Sequence, residues 1–98
     1  MTHTDKELYI NEIATGKAMK ETMDYSQETG KTIDMDSPLG FVPALCRQGC
    51  GLTPEKAKRV AEESGELGIF FLERYTKARK EKEDKLDRLA KEGWYDTH

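Results

Sequence analysis

The sequence has little of what small domains usually announce a function with. It holds two cysteines, Cys46 and Cys50, too few for a disulfide framework. One helical turn apart, their side chains would diverge too far for an easy intrachain bond. The longest apolar runs, around Leu39–Leu45 and Leu67–Leu72, are far too short to span a bilayer. Met1-Thr2-His3-Thr4-Asp5 has no basic start leading into an apolar run, so no signal peptide is read. Nor does one sign of charge dominate: a net charge of −3 argues against a strong, general nucleic-acid binder. There is no Ser-His-Asp set, phosphate-binding glycine loop, His-based metal motif, internal repeat or low-complexity linker. These absences point to a cytoplasmic protein with no membrane association.

What is present is charge. Charged and hydrophobic residues each make up 36% of the 98 residues, so one domain over 1–98 must form around a lean core. Such a core rarely stabilises a lone small domain by more than ~3–5 kcal/mol, which favours a protein partner or a homodimer. Residues 1–49 carry five basic and eight acidic side chains, while 50–98 carry eleven of each.

Thr4-Asp5-Lys6-Glu7 has the form of a capping box and predicts a first helix from near Asp5. Tyr9, Ile10, Ile13, Ala14 and Ala18 share one side of it, with Gly16 a place to end or bend, and Glu28-Thr29-Gly30-Lys31 reads as a turn. Thr32–Asp36 alternates polar and apolar residues, but with no second strand to pair with it reads as extended loop. Leu39, Phe41, Val42, Ala44 and Leu45 are dense enough to be core, on a short helix around 38–48 that Pro43 is expected to open.

Thr53-Pro54-Glu55 is the clearest helix start: a hydroxyl cap, proline at the first position and an acid in the first turn. Ala57, Val60, Ala61, Ser64, Gly68, Phe71, Tyr75 and Ala78 follow helical spacing, and Ile69-Phe70-Phe71-Leu72 should be buried on most sides. Beyond Thr76, opposite charges recur four apart, as in Lys77–Glu81, Arg79–Glu83 and Asp84–Arg88. Each pair adds only ~0.2–0.5 kcal/mol, but together they keep an exposed helix formed. A narrow stripe returns at Leu86, Leu89 and Ala90. Unbroken from Pro54 to Lys91, this helix would be roughly 57 Å long. A compact chain of this length has a radius of gyration of only about 13 Å. The expectation is that the helix runs on rather than breaking near Gly65–Gly68, and that its end projects to meet another surface.

Glu62-Glu63-Ser64-Gly65-Glu66-Leu67 resembles the Glu-Glu-x-Gly-Glu-Leu signature of the MazG family of all-α nucleoside-triphosphate pyrophosphatases. The resemblance implies a magnesium site in which Glu63 and Glu66 form the first acidic pair and Glu81 and Asp84 the second. Hard carboxylate oxygens there would hold Mg²⁺ against a triphosphate. It is local, and the charged segment 84–89 departs from the apolar helix on which the family carries its second pair. Val60–Gly65 also has the Ala-x-x-x-Gly spacing of a helix-turn-helix bend, the alternative of a DNA-binding regulator, although Leu67–Leu72 is too apolar for a reading helix. Cys46 and Cys50 could contribute two thiolates to a zinc site shared across a dimer; buried, inert thiols are the commoner case.

The sequence therefore predicts an all-α single domain with a long, charged C-terminal helix, frayed at 1–4 and 95–98. It is expected to act as a protein-interaction or regulatory module, non-enzymatic rather than catalytic, through Leu86, Leu89, Trp94 and Tyr95, with no cofactor expected outside the magnesium of the pyrophosphatase alternative.

Overall fold

Thr53 caps a helix as its sequence requires, its Oγ1 accepting the Lys56 N–H at 3.3 Å with Pro54 in the first turn. That helix is α3 (Pro54–Glu63), and in this computed structural model, which describes residues 3–91, three others accompany it. They are α1 (His3–Thr29), α2 (Pro38–Arg47) and α4 (Gly65–Lys91), and no strand occurs among the described residues. The fold is all-α with a long C-terminal helix. The side chain of Thr4, and so its capping role, lies outside the described residues, as do 95–98.

The single helix from Pro54 to Lys91 is not formed. It breaks at Ser64, because Gly65 takes φ +69°, a left-handed conformation that only glycine adopts without strain. The break lets α3 fold back and bury Ala57, Val60 and Ala61 beside Leu67 and Phe71 of α4. Burial of this kind stabilises by ~1.5–3 kcal/mol per large apolar side chain, far more than the local helix lost at the elbow. Extension along one axis is 47 Å, against 22 and 21 Å on the others.

Gly68 sits inside the elbow. A Cβ there would lie 2.8 Å from Ser64 Cβ, 2.9 Å from the Val60 carbonyl oxygen and 3.1 Å from Ala61 Cα. The backbone pressing on Gly68 is that of α3 itself. Gly68→Ala should therefore lower stability by ~1–3 kcal/mol, despite alanine's higher helix propensity, with Gly68→Leu worse. Denaturant unfolding checks this; a more stable Gly68→Ala protein would mean the elbow is open.

α1 and α4 lie antiparallel along their lengths. Tyr25 stacks on Phe70 with ring centroids 4.3 Å apart, Arg74 reaches to 3.9 Å from Glu21, and Lys6 pairs with Asp87 at 3.0 Å. α1 runs through Gly16 without ending, and its buried stripe is Ile10, Asn11, Ala14, Thr15, Ala18, Met19 and Thr22. The buried hydroxyls of Thr15 and Thr22 donate to the carbonyls of Asn11 and Ala18, so neither is orphaned. Tyr9 and Ile13, expected on the inner side, stay 37% and 38% exposed at its edge, with Lys82 over the Tyr9 ring. On α4 Phe71 is fully buried, whereas Ile69 on the opposite side is exposed, so the apolar run 69–72 is only half interior.

Candidate functional site

α2 is the most apolar helix, and the fold uses only one of its faces. Pro38, not Pro43, opens it, and Pro43 lies inside it. Leu39 and Val42 point inward and are buried, and the Leu39 N–H donates to Ser64 Oγ at 3.1 Å, tying the start of α2 to the α3–α4 elbow. Gly40 lies so near the Met35 backbone that a Cβ would come within 2.7 Å of it, which seats the helix on the preceding loop. The other side is left over. Phe41, expected in the core, is 63% exposed, and Leu45 is half-buried.

Phe41 stands at a groove of about 280 Å³ between α2 and α3. Pro38, Val42, Leu45, Leu52 and Val60 make its apolar floor and walls, and Lys56, Arg59 and Glu63 form its charged rim. Met35, 69% exposed, precedes α2 on the adjoining loop. The largely exposed Phe41 ring and its apolar groove form a hydrophobic shoulder of the sort that marks an interaction site. Its signal in the sequence is the double periodicity of α2: Leu39 and Val42 repeat on one face, Phe41 and Leu45 on another.

The carboxylates of the pyrophosphatase resemblance do not converge. Glu63 is at the end of α3 on the groove rim, and Glu66, across the break, pairs with Lys31. That hydrogen bond, more than any other influence, raises the Lys31 pKa above its ordinary value. Glu81 and Asp84 are on α4 itself, with Glu81 paired to Lys17 at 3.4 Å. Fifteen positions separate Glu66 from Glu81 on one continuous helix, about 22 Å of rise, so one ion cannot bridge them. Among the described residues no three His, Cys, Asp or Glu side chains come together as metal ligands would. Cys46 is half-buried and Cys50 exposed, and both are free thiols. Burial, with a smaller contribution from Glu12, pushes the Cys46 thiol up, away from the reactive thiolate. At the helix-turn-helix bend, Leu67, Gly68 and Phe71 are buried at the start of α4, so that segment packs the core.

Of the expected partner-binding residues, Leu86 is only 6% exposed and Leu89 is half-buried, as the end of α4 lies along the start of α1 near Lys6 and Asp87. As folded, that stretch of α4 does not project beyond its neighbour. Trp94 and Tyr95 lie outside the described residues.

A buried polar network escaped sequence reasoning. Tyr75 donates its hydroxyl to the Leu52 carbonyl at 2.5 Å and lies 3.3 Å from Asn11 Oδ1, which also accepts Arg79 Nε at 3.0 Å. Leu52 N–H in turn donates to Thr15 Oγ1 at 2.9 Å. The residues between α2 and α3 are thereby clamped against α1 and α4, which fixes one end of the groove. Desolvation pushes the Tyr75 phenol up to about 12. No known protein family, curated protein or solved structure matches this chain. Among the described residues no helix is long and apolar enough to cross a membrane.

Proposed function

We propose that this chain is a protein–protein interaction module, and that its working surface is the shoulder where α2 lies against α3. The observation that carries the reading is Phe41: a large aromatic side chain, 63% exposed, beside an apolar groove that none of the described residues fills. Aromatic side chains set in such recesses are the usual anchors of protein interfaces. The long α1–α4 pair acts as the rigid support, and the Tyr75 clamp holds the loop below the groove in place. A cytoplasmic, reducing setting suits the two free thiols.

Site-specific photo-crosslinking in cells that make the protein tests this reading. Phe41→p-benzoylphenylalanine should yield covalent protein adducts on illumination, whereas the same probe at Asp84, exposed on α4, should yield none. Adducts from position 84 and none from position 41 would overturn the assignment and return the interaction to the C-terminal helix.

A further inference from the structure

We propose that the α3–α4 elbow is a hinge at which two copies of this chain exchange α4. In the exchanged form α3 and α4 run on as one helix, and each α4 packs on α1 and α3 of the other copy. The inference is independent of the α2–α3 shoulder, which lies wholly before the hinge and is carried into both forms.

What such an exchange must reproduce is already present in the single chain. α4 is held by contacts whose other half lies before residue 64: Tyr75 on the Leu52 carbonyl, Arg79 on Asn11, Phe70 on Tyr25 and Asp87 on Lys6. A second copy offers the same partners in the same arrangement, so complementarity between copies needs no new surface. The two forms therefore differ chiefly at the elbow. The connection there has almost no slack, since Ser64 alone separates Glu63 at the end of α3 from Gly65 at the start of α4. Short hinges between elements that pack on each other are the ones that invite exchange.

The folded-back form depends on one residue. Gly65 has φ +69°, where an L-residue is about five- to thirtyfold disfavoured. The straight form has no such requirement, because the chain is helical on both sides and the helix simply continues. A Cβ at Gly65 would meet no atom within 4 Å, so a substitution there acts through the backbone angle and not through packing. Gly68 is the counter-case. Two of its close neighbours, Val60 and Ala61, belong to α3, and an exchanged α4 meets the same backbone in the other copy.

Refolding from denaturant at low-micromolar and near-millimolar chain, followed by light scattering, tests the proposal. The wild-type protein should emerge as an 11.2 kDa monomer from the dilute refolding, and partly as a dimer of twice that mass from the concentrated one. Gly65→Ala should raise the dimerisation constant roughly 30- to 900-fold, because each dimer relieves two elbows. Gly65→D-Ala, introduced by chemical ligation, accepts φ +69° without strain and should be monomeric at both concentrations. Gly68→Ala should lose stability yet raise the dimer far less than Gly65→Ala does. Nitroxide labels at positions 55 and 76 of one chain, diluted into unlabelled chain, read the exchange itself. These positions share the end of the hairpin where Tyr75 meets Leu52, whereas one straight helix would separate them by roughly 32 Å. The dimer should show that long distance and the monomer a short one. A wild-type protein monomeric after both refoldings, or a Gly65→Ala protein no more dimeric than wild type, would overturn the proposal. So would a Gly65→D-Ala protein as dimeric as Gly65→Ala, or a dimer that keeps the short distance.

Discussion

Tyr75→Phe is expected to cost about 1–3 kcal/mol of stability, and Tyr75→Ala about 3–5 kcal/mol. The ring is 1% exposed, packed at 6.1 Å from Phe71 between centroids, and its hydroxyl is the donor that satisfies the Leu52 carbonyl. Phenylalanine keeps the packing but leaves that carbonyl without its donor, whereas alanine removes both. The same residue gives a pH signature. Because burial raises the phenol's pKa from 10.0 to about 12, the folded state holds the proton more tightly than the unfolded chain does. Its contribution is fully present below pH 10 and is lost as pH rises through the window to 12. At ~1.4 kcal/mol per pKa unit the loss amounts to roughly 2–3 kcal/mol. Lysines titrate in that range too, so the informative quantity is the difference between wild type and Tyr75→Phe. Urea unfolding at pH 9 and pH 11.5 should show the gap between them narrowing; a constant gap would mean the phenol is not desolvated as described.

Gly51→Ala should be nearly as damaging, at roughly 2–5 kcal/mol. Although Gly51 itself is exposed, a Cβ on it would lie 2.5 Å from Glu12 N, 2.6 Å from Asn11 C and 2.7 Å from Glu12 Cα. Those are backbone atoms in the middle of α1 and cannot yield, so the loop must lift. Lifting it pulls Leu52 away from Thr15 and Tyr75, breaking both hydrogen bonds of the clamp. At ~4–8 °C per kcal/mol for a domain of this size, the melting temperature should fall by more than ten degrees or so. Gly16→Ala provides the contrast, since a Cβ at Gly16 meets nothing within 4 Å and the position is helical. It should be neutral or stabilising by ~0.4–1 kcal/mol. Equal effects from the two substitutions would show that the close approach at Gly51 is not rigid.

The helices were legible because their signals are local. Thr53-Pro54 caps α3 as written, and the charge pairs along α4 include Arg79–Glu83, formed at 2.5 Å. The break at Ser64–Gly65 was harder to read, because an intrinsic preference of well under a kcal/mol per residue gave way to tertiary burial of Val60, Ala61 and Phe71. The same competition explains Leu86. A sparse stripe at the end of a charged helix looks unpartnered in one dimension, yet α1, equally long, lies beside it. Phe41 erred the other way: residues on a ten-residue apolar helix read as core on all sides, whereas only one face of a helix at the edge of a small domain finds cover. Asn11, Thr15, Tyr75 and Arg79 give no joint signal in sequence because their hydrogen bonds join positions up to 68 apart.

Photo-crosslinking in cells, from benzoylphenylalanine at position 41 and at position 84, tests most directly whether the shoulder of α2 and α3 is the surface this protein works through. Covalent protein adducts should form from position 41 and not from position 84 on the exposed side of α4. Adducts from position 84 with none from position 41 would contradict it.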